Sequence, residues 1–313
     1  ANTNAKGIIE NNSSNKHNLN IRETVGLFNK RLMLDGSMNL ITQKTNNRPT
    51  SGGIYMNPLF GLYTYPRGMD MTEYKTNYEK HDEERNIPAQ NWPFTINDYD
   101  QNPYWLINRA KSADKRSRII TFITAKAHIA DWFSIQGRGS LDYIDDKFNQ
   151  KIYATTSPGI AGKNGRYIDY TYKETLLYGD LMANFDKSWK KWSFSGIIGA
   201  SISDNRTNSL RLDSNTASLY YPNVFTVSNI NMSTNAYIEE NIDSRRQLQS
   251  LFSTIQIGYN NYIYLTATAR NDWASTLAYT QSERRGFFYP SFGLSWIIAD
   301  MIKMPEFISL GKL

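Results

Sequence analysis

The sequence predicts an all-β protein: an antiparallel segment of a transmembrane β-barrel with about ten strands. The evidence is long period-two alternation of apolar and polar residues, together with connections that are short and long in strict turn. In "YNNYIYLTATARNDW", residues 259–273, the side chains of Ile263, Leu265, Ala267 and Ala269 are apolar or small and those between them are polar. Such alternation is typical of a long strand with one apolar and one polar face.

The same alternation, followed along the chain, predicts nine long strands and the start of a tenth. They are 18–27, 32–44, 118–129, 133–145, 170–185, 192–206, 244–257, 262–274 and 286–298, with the tenth beginning near Ile308. Glu23 interrupts the apolar face of the first strand. Strands of soluble proteins have ~5 to 6 residues, whereas a tilted membrane-spanning strand needs ~9 to 11. Most of the predicted strands reach the membrane-spanning length.

The connections between these strands are sorted by length. The segments "FNKR", "ADW", "KSWKK" and "YNN" join pairs of strands tightly. The intervening connections are 45–117, 146–169, 207–243 and the shorter 275–285. A soluble sandwich has no reason for this sorting, because both of its ends face the same water. A transmembrane barrel has short periplasmic turns and long extracellular loops.

Aromatic residues cluster near the short turns. The residues beside a short turn are Trp132, Trp189, Trp192, Tyr259, Tyr262 and Trp296, and Trp273 lies about a dozen residues along from one. A core position in a soluble sheet is the alternative for each taken singly. Together they indicate two girdles at the membrane interfaces. The face of Ile263 is therefore expected to meet lipid, and the face of Arg270 a polar lumen.

Composition narrows the class of protein. The 313 residues carry 35 Lys and Arg against 29 Asp and Glu, a net charge of +6. The charge is spread along the chain, which favours a solvated surface over nucleic-acid binding. The absence of cysteine excludes disulfides and thiolate metal sites. No run of about 18 apolar residues exists for a transmembrane helix. Residues 1–16 are polar, lack the apolar region of a signal peptide and are expected to be a lead-in to the barrel.

The sequence lacks known catalytic and metal-binding motifs. The three histidines, His17, His81 and His128, are far apart in sequence, and no acid, base and nucleophile set accompanies them. In "GIAGKNG", residues 159–165, Asn164 stands where a phosphate loop has Ser or Thr, so a flexible extracellular loop is expected. The acidic segments 81–85 and 142–146 lack the ligand spacing of a known Ca²⁺ loop. The sequence predicts no enzyme, cofactor or metal.

Two groups of residues are candidates for ligand contact. The predicted lumen face alternates in charge sign through Arg118, Lys126, Arg138, Asp142, Asp180, Arg270 and Asp272. These charges can pair with each other, and Arg270 and Asp272 can anchor a loop. The segment 45–117 carries the aromatic residues Tyr63, Tyr65, Trp92, Tyr99, Tyr104 and Trp105, which suit sugar faces and peptide backbones or can pack the loop on itself. The ligand-facing candidates are Tyr104, Trp105, Arg138, Asp142, Arg270 and Asp272.

Five segments give the chain a family likeness. They are "NPLFGLYTYPRGMDM" (57–71), "QNPYWLINRAKSADKRSRII" (101–120), "NIDSRRQLQSLFSTIQIGY" (241–259), "IGYNNYIYLTATARNDWASTL" and "FFYPSFGLSWIIADM". Together they span almost the whole chain in a consistent order. The chain resembles the barrel of SusC/RagA-like TonB-dependent outer-membrane transporters.

The resemblance implies a Gram-negative outer-membrane barrel of 22 strands, closed by an N-terminal plug. Such a protein imports oligosaccharides or peptides bound under a SusD-like surface lipoprotein, with energy delivered through the TonB–ExbB–ExbD complex. Residues 17–313 would be a partial TonB-dependent receptor barrel domain with a long extracellular loop at 45–117. Ten strands cannot close a 22-stranded cylinder. The chain is therefore expected to be a middle fragment of a longer protein or one piece of a split chain.

Other classes of protein remain open at this stage. A passive porin shares the alternation and the loop sorting, because these patterns do not report a plug. An outer-membrane barrel enzyme would need the catalytic set that is missing. A soluble β-rich carbohydrate-binding protein would bury both faces of its sheets.

Overall fold

A computed structural model describes residues 1–48, 56–97, 100–216, 219–282 and 286–298, which form one antiparallel sheet of ten strands and a smaller two-stranded one. In chain order the elements are β1 (Asn2–Lys6), β2 (Ser13–Leu27), β3 (Leu32–Asn46), α1 (Pro58–Thr64), α2 (Thr72–Thr76), β4 (Glu79–Asp82), β5 (Ile87–Gln90), α3 (Pro103–Arg109), β6 (Ala110–Ala130), β7 (Phe133–Ile152), β8 (Arg166–Trp189), β9 (Trp192–Asp213), β10 (Tyr237–Tyr259), β11 (Ile263–Ala274) and β12 (Phe287–Trp296). Each strand of the large sheet pairs with the next strand of that sheet in sequence. The strands β4 and β5 form a separate hairpin within the connection from β3 to β6. The predicted antiparallel sheet of about ten strands is confirmed.

Several strands extend beyond the predicted bounds, mostly at the end away from the short turns. β6 begins at Ala110 rather than at 118, β7 ends at Ile152 rather than at 145, and β9 ends at Asp213 rather than at 206. At these ends both faces of the sheet carry polar residues, so the alternation fades while the backbone pairing continues.

The beginning of the chain differs from the expectation in the same way. The first predicted strand starts at residue 18, but β2 begins at Ser13 and pairs with β1, so strand is already present within residues 1–16. Polar side chains on both faces hid this pairing from the sequence pattern. The predicted tenth strand near Ile308 lies outside the described residues, and β1 is the tenth strand of the observed sheet.

The predicted sorting of connections is confirmed. Tight turns at 28–31, 131–132, 190–191 and 260–262 lie at one end of the strands. The connections 47–109, 153–165, 214–236 and 275–286 begin and end at the other end. Asn260 and Asn261 have φ of 52° and 62°. Asparagine tolerates this left-handed region better than other residues with a side chain, which lets the strands reverse within two or three residues.

One face of the sheet, the apolar face, exposes large hydrophobic side chains. Direct register partners such as Leu265, Ile257 and Phe194 continue it from strand to strand. Leu265 is 50% exposed and Leu181 is 60% exposed. A soluble sheet would cover such a surface. The register also places Glu23 on this face, opposite Gly36.

The buried hydrophobic residues lie mainly in the loops. Trp105, Ile152, Ala154, Leu219 and Ile230 are at most 3% exposed, and all belong to the long connections or to the strand ends beside them. The usual distribution of a globular protein is thus inverted. The sheet is apolar on the outside, and the packed core sits beyond its edge.

No helix within the described ranges is both long and apolar enough to cross a membrane.

The consecutive residues Ile197 and Ile198 provide a matched test of the two faces. Ile198 lies on the apolar face opposite Ser253 and Ala183, whereas Ile197 lies on the other face opposite Thr254 and Asn184. We expect Ile198→Arg to destabilise the protein folded in lipid vesicles by ~2 to 4 kcal/mol, because the substitution places a charge in hydrocarbon. Ile197→Arg should cost clearly less. Equal losses in the refolding titration would contradict a lipid-facing sheet.

Candidate functional site

The polar face of the sheet carries ion pairs between arginine and aspartate. Arg138 on β7 lies directly opposite Asp180 on β8, and its Nη2 is 2.7 Å from Asp180 Oδ2. The Asp180 side chain is completely enclosed, and the Tyr178 hydroxyl also donates to it at 2.7 Å. An enclosed carboxylate depends on such partners, because its hydration is lost.

Two more pairs continue this series towards the long loops. Arg118 donates through Nε and Nη2 to both carboxylate oxygens of Asp142, at 2.8 and 2.5 Å. Arg116 makes the same two-pronged contact with Asp146, at 2.7 and 2.6 Å. Two-pronged arginine–carboxylate pairs fix both partners in plane. We call the three pairs together the ion-pair ladder.

Arg270 and Asp272 pair with each other on β11. Arg270 Nε donates to Asp272 Oδ1 at 2.8 Å, Arg270 Nη2 donates to Ser250 Oγ at 2.9 Å, and the guanidinium lies 6.0 Å from the centre of the Phe252 ring. The candidates Arg138, Asp142, Arg270 and Asp272 thus all lie on the polar face, each in an ion pair. This placement supports the self-pairing interpretation, and their contact with a ligand stays a prediction.

At the end of the ladder nearest the long loops, the polar face forms two grooves that share Tyr170. The first, of about 410 Å³, lies between β8, β9 and β10. Its lining includes Tyr172, Arg211 and Glu239. The second, of about 350 Å³, includes Arg116 and Asp146. Aromatic rings beside charges of both signs suit extended polar molecules. Tyr170 and Tyr172 are not among the predicted ligand-facing candidates, although their spacing of two in "DYTYKE" signals a shared face.

Most residues of the predicted aromatic girdle lie at the end of the strands where the tight turns are. The rings of Trp192 and Tyr259 are 4.7 Å apart between centroids, and Tyr259 is 6.0 Å from Tyr262. Trp132 and Trp189 are exposed beside their turns, and each lies near a lysine ammonium group. Trp296 pairs with Ile263 at the same end, whereas Trp273 lies at the far end of β11. Their contact with membrane interfaces stays a prediction.

Beyond the opposite end of the strands, three long connections fold into one body, which we call the cap. It comprises residues 56–97, 100–109, 153–165, 214–216 and 219–236. One hydrophobic cluster contains Ile152, Ile160 and Ala161, and another contains Tyr167, Leu219 and Ile230. Residues 153–165 lie between the other two connections and contact both.

Polar contacts join the three parts of the cap. The side-chain oxygen of Gln90 accepts a hydrogen bond from the backbone N–H of Asn102 at 2.6 Å, and the backbone N–H of Gln90 donates to Thr155 Oγ1 at 2.8 Å. Asn223 accepts from the Ala154 amide at 2.7 Å. Asn164, from the glycine-rich segment expected to be a loop, donates to the Leu219 carbonyl at 2.6 Å. These bonds satisfy backbone groups that leave the sheet ladder.

Trp105 is not available to a ligand, which corrects its selection as a ligand-facing candidate. Its side chain is fully buried, Nε1 donates to Thr156 Oγ1 at 2.9 Å, and the ring packs edge-on against Tyr153. The alternative of loop packing therefore applies, because the indole combines a large apolar area with one donor that needs a buried partner. Tyr104 is half-buried, and the Lys75 ammonium lies 5.8 Å from the centre of its ring.

Two helices of the cap, α1 and α3, begin at Asn-Pro sequences. Asn57 and Asn102 are the N-caps of α1 and α3, and each side chain accepts from the amide two residues later. Proline follows each cap, where its missing N–H and fixed φ suit the first turn. This pair of signals lies in two of the segments that carry the family likeness, and it predicts the helices that the search for alternation missed.

Arg109, at the end of α3, connects the cap to β6. Its Nε donates to Glu79 Oε2 at 2.6 Å, and its guanidinium lies 4.9 Å from the centre of the Tyr153 ring. Burial disfavours the charged form, but the hydrogen bond and the charge of Glu79 outweigh it and raise the pKa of Arg109 above its usual value. The side chain remains a permanent cation that joins β4, α3 and residue 153.

Across the described residues, no group of three or more His, Asp or Glu side chains has a geometry that could hold a metal ion. In the segment 142–146, Asp142 and Asp146 each bind an arginine on the polar face. Asp145 alternates with them on the other face.

The ten-stranded sheet, with tight turns at one edge and a folded cap at the other, has the fold of TonB-dependent outer-membrane transporters and receptors. It is similar to the structure of the RagAB peptide transporter, with a TM-score of 0.69 and 14% identity over 94% of this chain and 31% of that chain. The RagAB peptide importer in its closed-closed state gives 0.66 and 12% over 92% and 30%. The likeness of fold expected from the sequence motifs is confirmed.

A receptor of another kind shares the fold more distantly. The ferric preacinetobactin receptor BauA from Acinetobacter baumannii gives a TM-score of 0.51 and 8% identity over 95% of this chain and 39% of that chain. This chain thus spans 30 to 39% of the length of these solved structures. No family model and no curated protein matches the sequence.

Removing Arg138 should expose the dependence of the enclosed Asp180 on its partner. We expect Arg138→Ala to destabilise the sheet by ~1 to 3 kcal/mol, below the value for a fully buried pair because the arginine is about a third exposed (36%). The double variant Arg138→Ala/Asp180→Ala should be less damaged than Arg138→Ala alone, since no charge is then stranded. A denaturant titration checks this order, and the reverse order would show that the enclosed Asp180 does not depend on Arg138.

The two helix caps allow a matched comparison in the cap. Asn102 is fully buried, and its Nδ2 donates to the carbonyls of Tyr74 and Asn91 at 2.9 and 2.8 Å, whereas Asn57 is exposed. We expect Asn102→Ala to open residues 70–109 to hydrogen exchange and proteolysis while the strands stay protected. Asn57→Ala should have a smaller effect. Equal protection in the two variants would rule out Asn102 as the structural centre of the cap.

Proposed function

We propose that the chain forms part of a TonB-dependent outer-membrane transporter that imports oligomeric nutrients, peptides or oligosaccharides. The observation that carries the proposal is the inverted distribution of side chains: an exposed apolar face, an ion-paired polar face and a packed core confined to the cap. A sheet of this kind suits hydrocarbon on one side and a wet passage on the other. The likeness to the RagAB structures supports this class of transporter.

The two outermost strands of the sheet, β1 and β12, support assembly with further barrel strands. In the described part of the chain, β1 and β12 each have one neighbouring strand. An unpaired edge in hydrocarbon is costly, because lipid offers no hydrogen-bond partners. We therefore assign the remaining barrel strands and a plug to the whole protein, with this ten-stranded sheet as one part of the barrel wall.

The polar face provides the chemistry for a cargo of many polar groups. Tyr170 and Tyr172 present aromatic surfaces with 6.4 Å between ring centres, beside Arg211 and Glu239. Aromatic rings can stack on sugar faces or lie along peptide bonds, and charges of both signs suit a peptide. The name of RagAB as a peptide transporter adds weight to peptides.

The cap provides the surface for a lipoprotein partner of the SusD type. Tyr63 and Tyr221 are 82% and 69% exposed, although the cap has its own core. Exposed aromatic residues on a folded body are enriched at protein interfaces. Energy would reach the protein through TonB–ExbB–ExbD, acting on the plug.

Loss of TonB tests the proposal. In a strain that carries the full-length protein, we expect deletion of TonB to abolish growth on an oligomeric nutrient that the intact strain uses, because a plugged barrel has no open passage. Growth on the corresponding monomer, which needs no such transporter, serves as the control. Undiminished uptake of the oligomer without TonB would replace the transporter with a passive porin.

A further inference from the structure

Beyond the end of the apolar face, three lysines lie side by side on three neighbouring strands. Lys44 on β3 is directly opposite Lys115 on β6, which is directly opposite Lys147 on β7. On the same face, two register rows closer to the tight turns, lie Leu40, Ile119 and Tyr143. The intervening row is Thr42, Ser117 and Asp145. The face therefore changes from apolar to small polar to cationic as it leaves the membrane-spanning zone.

Further lysines enlarge this row into a patch. Lys111 is directly opposite Lys151, and Lys173 is directly opposite Asp145. We define the outer lysine patch as Lys44, Lys111, Lys115, Lys147, Lys151 and Lys173, all of which are exposed. The carboxylates that share this face within the patch are Asp145 and Asp169.

The lysines of the patch stand without carboxylate partners. Within the described ranges, none of the six lies within ion-pair distance of an acidic side chain. Like charges directly opposite each other destabilise a sheet. On the other side of the same strands, Arg116 and Arg118 each have an aspartate partner. On these strands the arginines of the ion-pair ladder are thus neutralised on the polar face, whereas the six lysines of the outer patch are not.

The height of the patch fits the level of lipid headgroups. Lys44 is four positions after Leu40, which is about 13 to 14 Å along an extended strand. A strand tilt of ~35 to 45° reduces this to ~10 Å along the membrane normal. A lysine side chain can lower its stem along apolar surface while its ammonium group stays in the polar zone. The ammonium groups therefore reach the layer directly above the hydrocarbon.

We propose that the outer lysine patch binds the phosphate groups of anionic lipid headgroups in the outward-facing leaflet, with the acyl chains lying on the apolar face below. The inference rests on the outer-membrane location proposed above. Charge complementarity and continuity with the apolar face both select a lipid as the occupant, because a free anion would use only the lysines. Basic clusters directly beside a membrane-spanning zone attract anionic lipids.

A lipid-binding titration on the full-length protein in detergent micelles tests the proposal. The probe is a diphosphorylated glucosamine-based glycolipid, compared with the same lipid after removal of both phosphates. We expect the triple variant Lys44→Gln/Lys115→Gln/Lys147→Gln to bind the phosphorylated lipid at least about tenfold more weakly than the unchanged protein. The dephosphorylated lipid should bind both proteins equally weakly.

The control variant removes three lysines from the cap, Lys75→Gln/Lys80→Gln/Lys163→Gln, and should bind the phosphorylated lipid normally. Heat-dependent migration in gels shows that each variant is folded. Unchanged lipid affinity in the patch variant, or an equal loss in the cap variant, would overturn the proposal. Competition by millimolar inorganic phosphate as strong as by the lipid would also overturn it, since the patch would then hold free anions. Binding in micelles needs no TonB, so this outcome is independent of the uptake experiment.

Discussion

Backbone hydrogen bonding in hydrocarbon is the constraint on which the rest of this structure depends. Lipid offers no partner to an amide or a carbonyl, so every strand that crosses must pair with its neighbours along its full length. The pairing of β7 with β8 is unbroken over both strands. The register shifts of the described strands fall near strand ends, at His128/Ala130 beside a tight turn and at Asn241/Ser244 towards the cap. Irregular backbone is thus kept away from the middle of the apolar face.

Where the strands leave this zone, the constraint changes from backbone pairing to burial. The long connections can be irregular because water and side chains satisfy their polar groups. Asn102, Asn164 and Asn223 do much of this, since an amide side chain can donate and accept at once. Small apolar clusters then hold the connections together. The cap is a folded body attached to the barrel wall, and it can present aromatic surface without losing its shape.

The charges of the sheet follow the same division of environments. On the polar face, Arg116, Arg118 and Arg138 are neutralised by aspartates in fixed two-pronged pairs, which form a hydrogen-bonded wall across β6, β7 and β8. The grooves around Tyr170 lie at the end of this wall nearest the cap. On the outer face, Arg206 and Arg245 share Asp204, whereas the six lysines of the outer lysine patch have no carboxylate within ion-pair distance in the described part of the chain.

The sequence by itself determined the sheet and its two faces. Alternation of period two, as in 133–145 and 262–274, reports the difference between lipid and lumen at every second residue, and the tight turns are local features of a few residues. It also placed Arg138, Asp142, Arg270 and Asp272 on the polar face, because that assignment needs only parity along a strand.

Only the tertiary structure decided what lies beyond the membrane zone and which side chains meet. Trp105 reads as an exposed aromatic in a polar loop, yet Thr156 and Tyr153, some fifty residues later, enclose it. The partners Arg118 and Asp142, and the row of Lys44, Lys115 and Lys147, depend on the register between strands far apart in sequence. Period-two patterns carry no register information, and loop packing has no period at all, so neither could be derived before the strands were aligned.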